Sequence, residues 1–329
     1  MKYRPLGRTG LQVSELGFGC GSVGGILVRG ERRAAMRAVA RAIELGINYF
    51  DTARIYGDGL SETNLGAALK ELGADVLVGT KVRLNAREME RIHEAIVESV
   101  EGSLRRLGRE SVDLIQLHNA IGLCRQPERE WIGLADLEPA IQAFQALQKQ
   151  GKAQFWGING LGETEALHRA VTCAGAYTVQ SCYNLLNPTS GAKAPPGFPF
   201  QDYEQLIDQA ANHQVGAIAI RVLAGGALSG MPERHPVAEG SVSPIASGRD
   251  YAEDVERSKR FRFLVEDGFA GNLPEAALRF AISKPELSTA LIGISSMEQL
   301  EQAVTYTAKG PLPVEARRRC EEVWASFVA

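Results

Sequence analysis

The sequence predicts an α/β protein in which eight strands alternate with helices and close into a barrel. Short apolar runs alternate along the chain with longer segments of helical spacing, which is the pattern of parallel strands joined by helices. No linker rich in Ser, Pro or charge divides the 329 residues into halves. These observations favour a closed (β/α)8 TIM barrel over a doubly wound sheet, with residues 1–329 as one domain.

The elements can be taken in chain order. Residues 3–13 alternate around the turn Gly7-Arg8-Thr9-Gly10 and predict a β-hairpin ahead of the barrel. Barrel strands are predicted at residues 15–18, 47–50, 76–80, 112–117, 153–158, 176–180, 215–220 and 288–292. Helices are predicted at about 31–45, 60–72, 87–107, 138–150, 163–174, 201–213, 274–283 and from 296.

Composition narrows the classes of partner. The formal net charge of -3 offers no electrostatic attraction to nucleic acid or to an anionic membrane. No apolar run approaches the roughly 18 residues of a membrane span, and the first residues lack the apolar segment of a signal peptide. We therefore expect a soluble, cytoplasmic protein with a small-molecule partner. The pattern does not specify an oligomeric state.

The cysteines suggest neither a disulfide framework nor a zinc site. The five thiols are scattered, and no C-x-x-C pair occurs. They are predicted to be reduced residues in packed positions: Cys20, Cys124, Cys173, Cys182 and Cys320.

Three ionisable residues stand at the carboxyl ends of successive predicted strands. Asp51, Lys81 and His118 close the second, third and fourth strands, and Tyr56 follows Asp51 in a Gly-rich turn. A barrel brings strand ends to one face, so the four side chains are predicted to converge. An ammonium beside a phenol favours the phenolate, which would lower the pKa of Tyr56 toward the range of a general acid and base. The structural alternatives are that Asp51 closes a turn and that His118 caps a strand.

With these residues in place, the chain resembles the aldo-keto reductase family, and within it bacterial members related to potassium-channel β subunits. The resemblance runs nearly end to end, through Asp51-Thr-Ala, Tyr56-Gly, Ser61-Glu62, Thr80-Lys81 and Asp113-Leu-Ile-Gln-Leu-His118. It implies a barrel that binds a nicotinamide dinucleotide without a Rossmann domain. It also implies a catalytic tetrad at Asp51, Tyr56, Lys81 and His118, hydride transfer between cofactor and carbonyl carbon, a proton exchanged by the tyrosine, and no metal.

The resemblance also implies cofactor contacts, although at some of these positions this chain has a different residue from the one that is usual in the family. Contacts are expected at Gly19, Cys20, Gly21, Asp51, Asn119, Asn159, Gln180, Ile220, Arg221, Val222, Leu223, Gly225, Gly293, Ser295, Gln299 and Gln302. Asn159 stands where the family usually has Ser-Asn, and its amide remains a candidate for the carboxamide. Ile220 replaces a usual aromatic residue, so it can cover the nicotinamide ring by apolar contact only.

The stretch from residue 291 to 302 resembles the family's adenosine-phosphate site and implies a preference for NADP(H), with NAD(H) possible. Hydroxyls at a helix start suit a phosphate. The usual basic residue is absent, so the charge must come from Arg249 or Arg221. The alternative is that Ser295 only caps the last helix and that the enzyme uses NAD(H) or either cofactor.

Two long loops are expected over the carboxyl face of the barrel, at residues 120–136 and 231–262. Loops of this length are often substrate and cofactor lids, and disorder is the alternative for the second. Trp131, Tyr183 and Phe198 are candidates for an apolar substrate pocket, with ordinary packing as the alternative.

Two functions from other classes stay open. A barrel lyase or aldolase would use Lys81 as a Schiff base. A nucleotide-sensing interaction module, like the potassium-channel β subunits, would keep the barrel and the cofactor without rapid turnover.

Overall fold

Eight parallel strands close into a barrel with helices between them, so the predicted (β/α)8 architecture is confirmed. The structure, a computed structural model, describes residues 1–173 and 175–327. The barrel strands are β3 (Leu16–Gly19), β4 (Tyr49–Asp51), β5 (Leu77–Val82), β6 (Val112–Leu117), β9 (Ala153–Gly160), β10 (Thr178–Cys182), β11 (Gly216–Ile220) and β12 (Leu287–Gly293). They follow one another around the barrel in this order, and β12 pairs with β3 to close it.

The predicted N-terminal hairpin is also confirmed. Strands β1 (Tyr3–Pro5) and β2 (Gln12–Ser14) pair antiparallel and place Leu6 and Val13 in one buried cluster with Tyr49 of the barrel. Gly7 lies against Gly216, the first residue of β11. The hairpin therefore closes the amino-terminal end of the barrel, which leaves the carboxyl-terminal end as the open mouth.

The helices contribute buried apolar residues to one hydrophobic core that they share with the strands. In α1 the buried residues Ala35, Ala38, Val39 and Ala42 recur at helical spacing. The helices are α1 (Arg32–Glu44), α2 (Leu60–Leu72), α3 (Ile92–Leu107), α4 (Leu137–Lys149), α5 (Thr164–Cys173), α6 (Leu206–Asn212), α7 (Tyr251–Ser258), α8 (Phe263–Glu266), α9 (Leu273–Ile282), α10 (Met297–Ala308) and α11 (Val314–Ala325). Within the described ranges, none is long and apolar enough to cross a membrane.

The long loops contain structure that the sequence pattern did not predict. The first loop pairs two short strands, β7 (Ile121–Gly122) and β8 (Ile132–Gly133), and the second contains α7. Element ends differ from the predictions by a few residues, most of all at the starts of α3 and α6, which were expected at 87 and 201. Residue 174, the expected end of α5, lies outside the described residues, as do residues 328 and 329.

Candidate active site

Asp51 and Lys81 form a buried ion pair at the carboxyl ends of neighbouring strands. Asp51 is the last residue of β4, and Lys81 lies one residue before the end of β5. The Lys81 ammonium donates to Asp51 Oδ1 and, over 2.8 Å, to the carbonyl of Thr52. Burial alone would lower the pKa of Lys81, but the Asp51 carboxylate and the Tyr56 phenol outweigh burial and raise it. Lys81 is therefore protonated, which disfavours a Schiff-base role.

Tyr56 lies against this pair. Lys81 Nζ donates to Tyr56 Oη over 3.2 Å. Burial raises the pKa of Tyr56, the Lys81 charge opposes that rise, and Asp51 adds to it. The pKa is thus above its ordinary value, and the expectation that Lys81 would bring it down toward neutrality is wrong for this structure. The reason is that the cost of a buried phenolate exceeds the attraction of one ammonium that Asp51 already compensates.

His118 completes the group of four that the sequence predicted to converge. Its main-chain N–H donates to the Val82 carbonyl over 2.7 Å, and its ring meets the Tyr56 ring edge to face, with 5.9 Å between centroids. Burial, and then the charges of Lys81 and Arg83, lower the pKa of His118 well below its ordinary value. The imidazole is therefore neutral. Its Nδ1 is buried and has no hydrogen-bond partner among the described residues.

The loop that carries Tyr56 is held by buried side chains of α2. The Ser61 hydroxyl donates to the Cys20 carbonyl and contacts the Thr52 hydroxyl, each over 2.8 Å. Glu62 accepts from Thr80 over 2.5 Å and from Arg106 over 2.6 Å. These contacts link β3, β5 and α3 to the start of α2, so the Ser61-Glu62 motif positions the segment between Asp51 and Tyr56.

A cavity of about 640 Å³ opens at the barrel mouth beside Tyr56 and His118. It continues past β11 and β12 to the start of α10. Among the predicted cofactor positions, its lining includes Gly19, Gly21, Asp51, Asn159, Gln180, Ile220, Arg221, Val222, Leu223, Gly225, Gly293, Ser295, Gln299 and Gln302.

Two predicted cofactor residues point away from the cavity. The Cys20 side chain is buried in the core, and only its main chain meets the site, through Asp51 and Ser61. Asn119 is also buried, and its amide bonds the main chain of Leu84 and of Glu130 over 2.7 to 2.8 Å. Neither side chain therefore lines the cavity, and a cofactor contact through the main chain of either residue stays a prediction.

Asn159 and Gln180 differ in how far their amides are engaged. Asn159 Nδ2 donates to the His118 carbonyl over 3.0 Å, while its buried Oδ1 has no partner in the described part of the chain. Gln180 Nε2 donates to Asp51 Oδ2 over 2.6 Å. Gln180 therefore links the cavity wall to the Asp51–Lys81 pair, a contact that its sequence position did not indicate.

The start of α10 approaches the loop after β3. Ser296, rather than Ser295, is the N-cap, and its hydroxyl accepts from the Gln299 N–H over 3.3 Å. The Ser295 hydroxyl donates to the Gly24 carbonyl over 2.6 Å. A Cβ at Gly24 would lie 2.3 Å from the Ile294 nitrogen, so only glycine permits this close approach.

The two arginines proposed from sequence to meet a phosphate lie in different places. Arg221 lines the cavity, has a left-handed backbone with a φ of 58°, and donates to the Ser243 carbonyl over 3.3 Å. Arg249 does not line the cavity; its side chain is 90% exposed and pairs with Glu253 over 3.3 Å. Of these two, only Arg221 can meet a ligand in the cavity.

The segment from 231 to 239 crosses the mouth toward the loop after β3. Arg234, in that segment, lines the cavity and donates to the carbonyls of Gly225, Glu239 and Val23. From the other side, Arg29 donates to the Val237 carbonyl over 2.9 Å. These hydrogen bonds hold residues 231–239, here called the cover segment, over the cavity.

Sequence reasoning missed several cavity residues and misjudged the aromatic candidates. Arg83, Arg234, Ile55 and Tyr251 line the cavity, but none belongs to a periodic pattern or a motif. Only the position of Arg83, two residues after Lys81, was a usable signal. The three predicted aromatic residues lie outside the cavity lining and pack elsewhere: Tyr183 on Phe280, Phe198 on Phe200, and Trp131 under Arg129.

Several known proteins are similar to this chain in sequence or in structure. Residues 15–325 match the model of the Aldo/keto reductase family. An L-galactose dehydrogenase from Arabidopsis thaliana is 30% identical over 313 residues, covering 92% of this chain and 87% of that protein. An aldo-keto reductase from Bacillus subtilis is 26% identical with the same coverage. The holo structure of an aldo-keto reductase from Bacillus halodurans superposes with a TM-score of 0.72 at 27% identity, covering 98% and 96% of the two chains.

Proposed function

The chain belongs to the aldo/keto reductase family, and we propose that it is an NADP(H)-dependent oxidoreductase that interconverts a carbonyl compound and an alcohol. The observation that carries the proposal is the set of contacts from Asp51 through Lys81 to Tyr56, with a neutral His118 beside the phenol. A protonated phenol, a fixed ammonium and a neutral imidazole at one cavity wall suit proton transfer to a carbonyl oxygen.

The residues of the cavity fit a nicotinamide cofactor. Asn159 Oδ1, which has no hydrogen-bond partner among the described residues, is a buried acceptor for an amide N–H. A Cβ at Gly21 would lie 3.4 Å from the Tyr56 ring, so glycine keeps the space beside the phenol open. Ile220 offers an apolar side chain to a ring, and Arg221 offers a cation to a phosphate. When bound, the nicotinamide supplies or accepts the hydride.

The roles of the four residues follow from their charges. Tyr56 gives its proton to the carbonyl oxygen as the alcohol forms, and its raised pKa keeps the phenol protonated at neutral pH for that step. The Lys81 ammonium stabilises the phenolate left behind. Asp51 keeps Lys81 charged and in position. The neutral His118 orients the carbonyl oxygen through a ring N–H.

The preference for NADP(H) over NAD(H) is the finer part of the proposal. Gly293, Ser295, Gln299 and Gln302 line the far end of the cavity. No basic side chain of α10's first two turns joins them in the described chain, so the preference should be weak, and NAD(H) remains usable.

Tyr56→Phe tests the proposal. A screen of aldehydes and ketones, followed by loss of reduced-cofactor absorbance, first identifies a substrate. The variant should then lose about 100-fold to 10,000-fold in kcat while cofactor affinity stays nearly unchanged. Activity within a few-fold of the parent would contradict the assignment of Tyr56. Tight retention of cofactor with no turnover of any carbonyl would instead favour the sensing module.

A further inference from the structure

Arg83 presents a positive charge to the part of the cavity that holds Tyr56 and His118. It directly follows β5 and lines the cavity, with its side chain 43% exposed. Its charge contributes to the lowered pKa of His118, so it acts electrostatically on the place assigned to the carbonyl. None of the roles proposed above uses this cation.

Most of the Arg83 guanidinium is available to a ligand. Nε donates to Glu130 Oε2 over 2.8 Å. Neither Nη1 nor Nη2 has a hydrogen-bond partner among residues 1–173 and 175–327. Asn119 bonds the main chain of Leu84, the residue after Arg83, and the main chain of Glu130. It therefore holds the two partners of the Arg83–Glu130 ion pair next to each other. The free pair of nitrogens matches the geometry of a carboxylate.

The topology separates Arg83 from the arginines on the cofactor side. In the closed order of eight strands, β5 and β11 are four strands apart in either direction, so they lie on opposite sides of the mouth. Arg221 follows β11, and Arg234 is bonded to Gly225 on that same side. Phosphates of a cofactor that lies along β11 and β12 would therefore meet Arg221 or Arg234. Arg83 would therefore remain available to bind the substrate.

We propose that the substrate is a carbonyl compound that carries a carboxylate, and that Nη1 and Nη2 of Arg83 bind this carboxylate while the carbonyl lies between Tyr56 and His118. The inference rests on the proposed function and names its substrate class. Glu130 partly neutralises Arg83 and weakens the site for an anion. Its removal should therefore strengthen binding of the acid.

The test compares acids with neutral compounds of the same length. Glyoxylate, 4-oxobutanoate and 5-oxopentanoate are each assayed beside their methyl esters, with NADPH, in the parent enzyme, in Arg83→Met and in Glu130→Gln. The parent should prefer at least one acid over its ester. Arg83→Met should lower kcat/KM for that acid about 10-fold to 100-fold, the worth of one or two charge-assisted hydrogen bonds, and change the ester little.

Glu130→Gln is the matched control, because it breaks the same ion pair but leaves the guanidinium. It should raise kcat/KM for the acid and leave the ester unchanged. If the two variants lower acid and ester reduction alike, the pair only holds the loop in place and the inference is overturned. Equal turnover of acids and esters by the parent would also overturn it, while the proposed function would stand. Failure of the parent to reduce any carbonyl would instead count against the proposed function.

Discussion

Tyr49 donates a hydrogen bond from its phenol to Asp51 Oδ2, with 3.2 Å between the two oxygens. Tyr49 lies inside the barrel with 1% of its surface exposed. A Cβ at Gly79 on the neighbouring strand would lie 2.5 Å from the phenol oxygen, so glycine makes room for it. Together with Gln180 and Lys81, Tyr49 gives the buried Asp51 carboxylate three side-chain donors. These three hydrogen bonds stabilise the charged form of Asp51.

Tyr49→Phe should lower the free energy of unfolding by about 2 kcal/mol at neutral pH, because a hydrogen bond to a charged acceptor is lost. Burial, and then Asp51, raise the pKa of Tyr49 well above its ordinary value. In the unfolded chain the tyrosine ionises at about pH 10, so the stability that Tyr49 contributes is complete below that pH and is lost as pH rises toward the native pKa.

Urea unfolding of the parent and the variant from neutral to alkaline pH measures both effects. The difference in unfolding free energy should be constant at neutral pH and shrink above about pH 10. Tyr3→Phe is the control, since the Tyr3 phenol is exposed and bonds a surface carbonyl. A difference that does not change with pH would show that folding does not raise the pKa of Tyr49.

Lys81→Met should remove nearly all carbonyl reduction and shift the pH dependence. Lys81 opposes the effect of burial on the pKa of Tyr56 more strongly than Arg221 does, so its loss raises that pKa further. The limb of the pH–rate profile that reports phenol ionisation should therefore move to higher pH. A residual activity with an unshifted profile would mean that Lys81 has another role.

The same variant leaves Asp51 as an uncompensated buried charge, which costs about 3 to 5 kcal/mol of stability. The double variant Asp51→Asn with Lys81→Met removes both charges and should recover part of that loss without recovering activity. Thermal unfolding measures the change in stability, and the carbonyl reduction assay measures the change in activity.

Ile220→Tyr should tighten cofactor binding. Ile220 lines the cavity where a ring would stack on nicotinamide, and aromatic pairing is worth on the order of 1 kcal/mol, or about a 5-fold change in Kd. Calorimetric titration with NADPH measures the gain. No gain in a variant that still folds would mean that another group already covers the ring.

Arg221→Ala should weaken NADPH binding about 10-fold, as expected for the loss of a charge-assisted hydrogen bond, whereas Arg249→Ala should leave it unchanged. The reason is their placement: Arg221 lines the cavity, and Arg249 is exposed and paired with Glu253. Titrations at one fixed salt concentration compare the two variants. Equal losses would show that the part of the loop that carries Arg249 changes its position when cofactor binds.

The preference for NADPH over NADH is checked by kcat/KM for the two reduced cofactors in the parent enzyme. We expect NADPH to be favoured weakly, since the α10 end of the cavity offers hydroxyl and amide groups and, among the described residues, no basic side chain from the first two turns of α10. A preference for NADH would overturn the cofactor proposal and leave the roles of Asp51, Tyr56, Lys81 and His118 intact.

The sequence by itself determined the barrel and the meeting of its four ionisable residues. Both follow from local patterns: apolar runs and helical spacing define the alternating elements, and parallel strands bring their carboxyl ends to one face. Asp51, Lys81 and His118 could therefore be placed together from their positions at strand ends. The N-terminal hairpin followed in the same way from its turn residues.

Only the tertiary structure decided which way the neighbouring side chains point and what surrounds them. Cys20 and Asn119 adjoin cavity residues in the chain but turn into the protein, and Ser296 rather than Ser295 caps α10. The raised pKa of Tyr56 depends on burial, and the separate placements of Arg221 and Arg249 depend on how the loop after β11 folds. Burial and loop contacts arise between residues far apart in the chain, and no local spacing encodes them.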